Sequence, residues 1–110
     1  MQTWNLLEVE APDGVLTPKV LHSADARAIA LCLEPGQAMG DHQVRERAWV
    51  TVIEGEVELS CGETCVTAAA GTLVMIEPGE RHSVTSPSGA RLLLLLAPWP
   101  ARDHYAAEGA

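Results

Sequence analysis

The sequence predicts an all-β fold, a barrel of short strands of the jelly-roll type. No window of a dozen residues shows the 3.6-residue period of an amphipathic helix. Short runs of β-branched and aliphatic residues instead alternate with turns rich in Gly, Pro and acidic residues. The 110 residues, 47% of them hydrophobic, suffice for one domain with its own core. We therefore expect a single domain over residues 1–110, ending in a polar, flexible tail at 101–110.

Two strands are predicted in the first third of the chain. The first runs from Val15 to His22, and Pro18 within it removes a backbone donor, which is typical of an edge strand. The second runs from Arg27 to Leu33. The turn residues 34–36, Glu-Pro-Gly, end that strand and separate it from the segment that follows.

The middle of the chain predicts a pair of strands, Trp49–Ile53 and Glu56–Cys61, joined by a turn at Glu54-Gly55. Alternation then gives this pair one buried face and one solvated face. The buried face would carry Val50, Val52, Val57 and Leu59. Trp49 has the opposite parity, so we expect its ring on the outside of the barrel, where a dimer interface or a covering loop would bury it.

Three further strands are predicted at Thr72–Ile76, His82–Thr85 and Arg91–Leu96, with a turn at Pro78-Gly79 after the first of them. The last strand contains five consecutive leucines, 92–96, which cannot alternate with polar residues. Both of its faces should therefore be covered. The cover would come from the N-terminal segment or from a second subunit.

Two segments resemble the two signature motifs of the cupin family. In the first, Gly36 is followed after five residues by His42, and the motif closes at Gly55. The second runs from Gly71 to His82, with Glu77 at the motif's proline and Ser86 at its final asparagine. The resemblance covers residues 36–86 and implies a cupin-type jelly-roll β-barrel, also called a double-stranded β-helix.

The resemblance also implies an interior site that retains part of a metal-ligand set. In typical metal-bearing cupins, the first motif supplies two histidines and a glutamate, and the second supplies one histidine. His42 matches the first ligand and His82 the last, whereas Val44 and Ala48 stand at the positions of the other two. Half of the ligand set is therefore replaced by apolar residues.

Glu46 is the candidate that would replace the missing ligands, because it has the same parity as His42 and Ala48. Two histidines and a carboxylate would suit Fe(II), Mn(II), Ni(II) or Zn(II). The alternative interpretation places Glu46, between Arg45 and Arg47, on a solvated charged loop. His42 and His82 likewise allow two interpretations: polar groups satisfied inside the barrel mouth, or partners in a shared binding pocket.

Three functions are compatible with this pattern, and the sequence leaves open whether the protein is an enzyme. The first is binding of a small molecule in the barrel interior near His42 and His82, without metal. The second is a metal-dependent enzyme, a dioxygenase or isomerase, that uses His42, His82 and Glu46. The third is a dimeric structural or regulatory module. A homodimer is expected in each case, from Trp49 and the leucine strand.

The charge excludes other partner classes. Seven Lys and Arg against fifteen Asp and Glu give a net charge of −8, which repels nucleic acids and anionic membranes. The sequence shows neither a signal peptide nor a membrane span, so we expect a cytoplasmic protein.

The sequence is compatible with either a disulfide or free thiols at Cys61 and Cys65. Cys61 and Cys65 are expected to face each other across a hairpin turn, which allows a disulfide. An odd total of three cysteines without a secretion signal instead favours free thiols.

Overall fold

The computed structural model describes residues 1–10, 19–42 and 44–100, and gives the backbone alone for 40–42. Within these ranges the chain forms eight β-strands, and no helix there is long and apolar enough to cross a membrane. The strands are β1 (Lys19–Ser23), β2 (Arg27–Leu33), β3 (Ala38–His42), β4 (Arg47–Cys61), β5 (Thr64–Ala69), β6 (Leu73–Ile76), β7 (His82–Thr85) and β8 (Ala90–Ala97). The predicted tail, 101–110, and the predicted strand residues 15–18 lie outside the described residues.

The strands form two antiparallel sheets that share β4. The first sheet has the order β1-β2-β8-β4-β6, and the second has the order β5-β4-β7-β3. Apolar side chains between the sheets form one core cluster, to which β2, β4 and β8 contribute most. This arrangement confirms the predicted all-β jelly-roll fold.

The hairpin predicted at Glu54-Gly55 is wrong, because β4 runs through it without a break. Its first half pairs with β8 and β6, and its second half pairs with β5 and β7. Gly55 has a φ of +84°, and the register with β8 shifts between Val52 and Glu54. The glycine therefore bends one long strand from the first sheet into the second, as a bulge does, and does not reverse the chain.

The burial predicted for the two halves of β4 is nevertheless confirmed. The side chains of Val50, Val52, Val57 and Leu59 are all buried in the core cluster. Even-numbered residues point inward before Gly55 and odd-numbered residues point inward after it. After the bend the inward-facing positions are odd-numbered, as they would be after a two-residue turn. The burial pattern alone therefore does not distinguish a bent strand from a hairpin.

Most of the other predicted strands are confirmed. β2 and β7 have the predicted bounds, β6 begins one residue later than predicted, and β8 extends the prediction by one residue at each end. β1 lies at an edge of the first sheet, as the proline suggested. No strand bounds were predicted for β3 or β5, although the hairpin turn expected between Cys61 and Cys65 is present where β4 and β5 meet.

The leucines of β8 are covered unequally on their two faces. Leu92 and Leu96 are buried in the core, whereas Leu93 and Leu95 are half-buried on the outer side of the first sheet. The N-terminal segment reaches one end of this outer side. There Nη1 of Arg91 donates hydrogen bonds to the carbonyl oxygens of Leu6 (3.4 Å) and Val9 (2.6 Å).

The cysteine pair does not have the geometry expected of it. The hairpin between β4 and β5 pairs Cys61 with Thr64 and Ser60 with Cys65. Neighbours in a strand point to opposite faces, so the side chains of Cys61 and Cys65 lie on different sides of the sheet. Both are free thiols, and Cys65 Sγ accepts a hydrogen bond from Ser60 Oγ at 3.8 Å.

Candidate functional site

An interior cavity of about 20 Å³ lies between the sheets, next to His82. Five strands or their adjoining turns line it: β2, β3, β4, β7 and β8. Nine of the ten lining residues are apolar. The ten are Leu31, Met39, Val44, Ala48, Val50, His82, Val84, Leu92, Leu94 and Leu96. The cavity holds about one water-sized group, so it fits a ligand's end and not a whole metabolite.

His82 is the polar side chain in this lining. It begins β7 and is buried, with 5% of its surface exposed. Its Nδ1 lies 3.1 Å from the carbonyl oxygen of Glu80. A carbonyl oxygen only accepts hydrogen bonds, so Nδ1 carries the proton and donates it. In the neutral ring the lone pair is then on Nε2, which fixes the tautomer that a ligand or metal would meet.

His42 lies opposite His82 across the β3–β7 ladder. The two residues are direct register partners, after an irregularity that shifts the register between Met39 and His42. Backbones of such partners are about 4.5–5.5 Å apart at their Cα atoms. The fold therefore brings together the backbones of the two predicted histidines, although the side chain of His42 lies outside the described residues.

Glu46 is fully buried, with 0% of its surface exposed, so the interpretation that places it on a solvated loop is wrong. Arg45 beside it is exposed, while Val44 and Ala48 at the same parity point inward. The burial of Glu46 agrees with the parity argument, although Glu46 lies in the bend that precedes β4. Glu46 is not, however, among the described residues that line the cavity.

A domain model for the cupin family matches residues 30–97 of this chain, well over half of its length. The match includes both motifs, the residues that line the cavity, all of β3 to β8 and the second half of β2. The chain belongs to the cupin family. No curated protein matches it.

Solved structures of several bacterial proteins have the same fold as this chain. An uncharacterised conserved protein with a double-stranded β-helix domain, from Klebsiella pneumoniae, is 22% identical with a TM-score of 0.81, and the match covers 92% of this chain and 93% of that one. An RmlC-like cupin from Desulfovibrio desulfuricans is 22% identical with a TM-score of 0.79, covering 89% and 97%. A protein named TT1209, from Thermus thermophilus, is 26% identical with a TM-score of 0.77, covering 89% and 98%.

Two residues of the cavity lining stand at positions where the cupin motif has metal ligands. Val44 and Ala48, which occupy two ligand positions of metal-bearing cupins, both line the cavity beside His82. Aliphatic side chains supply no lone pair to a metal ion. The cavity wall next to these two residues therefore consists of methyl and methylene groups.

The described side chains alone do not fit a metal centre. Among them, no three His, Cys, Asp or Glu residues come together in a way that could hold an ion. Protein metal sites need three or four ligands, so His82 and Glu46 would need His42 as a third partner. Cys61 on the inward-facing side of β4 does not complete a set within the described part of the chain.

Two residues that support the site were not assigned this role from the sequence. Glu80 orients His82 through its backbone carbonyl, and no side-chain pattern reveals such a contact. Ser86, at the motif's asparagine position, is fully buried and its Oγ donates a hydrogen bond to the carbonyl oxygen of Glu56 at 2.7 Å. Its backbone accepts a bond from Gly36 N at 2.8 Å. Through these two hydrogen bonds Ser86, directly after β7, is joined to β4 and to the turn at Gly36.

Proposed function

We propose that this cupin binds a small organic molecule at the barrel mouth near His42 and His82, without a resident metal. The observation that carries the proposal is the lining of the cavity, nine apolar residues around one imidazole. Apolar pockets with a few convergent polar groups are typical of small-molecule sites. Val44 and Ala48 in the lining favour an aliphatic ligand end over a metal ion.

The size of the cavity limits what enters it. About 20 Å³ admits one methyl-sized or water-sized group, so the ligand inserts a compact end and its remainder stays in the mouth. His82 supplies the polar contact. A neutral imidazole accepts a hydrogen bond from a hydroxyl at Nε2, and a protonated one donates to a carboxylate. A short branched acid or alcohol has both features.

The test is an NMR titration of ¹⁵N-labelled protein with isovalerate and with isoamyl alcohol. We expect saturable shifts at His82, Val84 and Leu92 with at least one of these probes. His82→Ala should weaken binding about tenfold or more, because it removes the hydrogen bond. Ala48→Val, which fills the cavity and leaves His82 in place, should also weaken it, whereas the control Ala69→Val on the exposed side of β5 should not. Shifts that are absent, or unchanged by Ala48→Val, would refute the proposal.

A metal-dependent enzyme of the dioxygenase or isomerase type is the second candidate, and the complete burial of Glu46 favours it. A buried carboxylate with His42 and His82 would supply the three ligands that a divalent ion needs. Elemental analysis of wild type, His42→Ala, His82→Ala and Glu46→Ala separates the candidates. Stoichiometric metal that is lost in all three variants supports this second candidate. Metal-free protein that takes up no added Fe(II), Mn(II), Ni(II) or Zn(II) eliminates it.

A further inference from the structure

Arg27, the first residue of β2, lies on the inner side of the first sheet. Ile29 and Leu31, which have the same parity on β2, belong to the core cluster, so the side chain of Arg27 points to the same side. Its register partner on β8 is Leu96, which lines the cavity together with His82. The fold therefore places a cation one strand away from the wall of the apolar cavity.

The guanidinium of Arg27 is held in place by Trp99. Its Cζ lies over the indole ring, 4.6 Å from the ring centroid. Trp99 packs against the core cluster, and its backbone N–H donates a hydrogen bond to the carbonyl oxygen of Asp25 at 2.8 Å. Stacking uses one face of the planar guanidinium, whereas its N–H groups lie in the plane. The contact therefore orients the group and leaves its in-plane donors for another partner.

No carboxylate forms an ion pair with Arg27 in the described part of the chain. Arg47, by contrast, forms one with Glu77 at 2.7 Å. Arg27 is half-buried, and its Nε is closed to solvent without a hydrogen-bond partner among the described residues. Taking a charge out of water is unfavourable unless an opposite charge or hydrogen bonds compensate it. An anion bound next to the cavity would provide both.

We propose that Arg27 binds the carboxylate of the small molecule whose apolar end enters the cavity, so that the ligand of this cupin is a short aliphatic acid. The inference rests on the binding function proposed above and chooses between the acid and the alcohol that the cavity alone admits. His82 does not make this choice, because its imidazole accepts from a hydroxyl when neutral and donates to a carboxylate when protonated. A guanidinium only donates, stays charged, and matches a carboxylate with two parallel hydrogen bonds.

The distance between the cavity wall and Arg27 suits a short acid. Leu96 and Arg27 are on neighbouring strands, which are about 4.8 Å apart. In isovalerate, three carbon–carbon bonds of about 1.5 Å each separate a methyl carbon from the carboxyl carbon. A molecule of this length can therefore place a methyl group in the cavity and its carboxylate beside the strand that carries Arg27.

NMR titrations of the ¹⁵N-labelled full chain at pH 7 with isovalerate and with isoamyl alcohol, which share one carbon skeleton, test this proposal. About 0.1 M NaCl screens the net charge of −8 beyond about 10 Å. Wild type should bind isovalerate about tenfold or more tightly than the alcohol, because only the acid pairs with the guanidinium. Arg27→Met keeps an apolar side chain against Trp99. It should weaken isovalerate binding about tenfold or more and change alcohol binding less than about twofold.

Arg47→Met is the matched control, because it makes the same change in side chain and net charge. Arg47 is the first residue of β4, next to the same end of β8, and its Nε also lacks a partner among the described residues. Its position is odd-numbered, so it lies on the outer side of the first sheet, and its Nη2 is already paired with Glu77. The variant should bind both probes as wild type does.

The outcomes separate this proposal from the one on which it rests. Equal binding of the two probes by wild type, or an equal loss for both in Arg27→Met, would overturn the role of Arg27 and leave the cavity site standing. A loss of isovalerate binding in Arg47→Met as large as that in Arg27→Met would show a general effect of net charge and would also overturn it. If wild type binds neither probe, the cavity site and the role of Arg27 are both wrong.

Discussion

At the scale of single residues, two arguments from the sequence predict opposite exposures for the side chain of Glu46. Composition favours exposure, because a carboxylate between two arginines is expected in water. Parity favours burial, because Glu46 follows the inward alternation of Val44 and Ala48. The structure buries Glu46 in the bend just before β4, two residues ahead of the buried Ala48. The composition argument therefore fails at this residue, because the packing around the bend, and not the neighbouring arginines, determines its exposure.

Cys61 and Cys65 should differ in reactivity. Burial raises the pKa of the Cys61 thiol above its ordinary value, and the Glu80 carboxylate raises it further. A raised pKa leaves less thiolate at a given pH, and the thiolate is the nucleophile. Iodoacetamide at pH 8 should therefore alkylate the exposed Cys65 before Cys61, and the Cys61 rate should still be rising above pH 9, as followed by peptide mass spectrometry.

The variant Glu80→Gln provides the control for this prediction. It removes one of the two causes of the raised pKa, while an amide oxygen can still accept the bond that Glu80 Oε1 receives from Glu77 N. Cys61 should react faster in the variant, and Cys65 should not change. Equal rates for the two cysteines in wild type, or no effect of Glu80→Gln on Cys61, would contradict the raised pKa of Cys61.

At the scale of elements, β4 determines how the two sheets are joined. Its bend at Gly55 combines a φ of +84° with close packing, since an added Cβ would run into the carbonyl oxygen of Gly89. Gly55→Ala should lower the free energy of unfolding by about 3 kcal/mol or more, from left-handed strain and steric overlap together. Urea denaturation followed by tryptophan fluorescence measures this loss.

Gly62, in the β4–β5 turn, is the matched control for Gly55. It also has a positive φ, of +59°, but an added Cβ there meets no atom within 4 Å. Gly62→Ala should therefore cost only the backbone term, about 1–2 kcal/mol. If both substitutions cost the same, the contact with Gly89 contributes nothing, and the close packing proposed for the bend is incorrect.

The bend also explains which elements the sequence could predict. Strands with clear ends, such as β2 and β7, have the predicted bounds because local residues determine both their alternation and their turns. A glycine with positive φ serves equally in a hairpin turn and in a strand bulge. The choice at Gly55 depends on distant partners, the strands β5 to β8 that pair with the two halves of β4, and no local pattern contains that information.

At the scale of the whole molecule, the fold was predicted by the resemblance of two motifs to those of the cupin family, and the structure pairs β3 with β7, the strands on which the motif histidines lie. Their histidines, His42 and His82, are register partners as a consequence. The interior of the site was less predictable. The small size of the cavity beside His82 depends on how Met39, Leu94 and the other lining side chains pack, and packing between two sheets is a property of the complete fold.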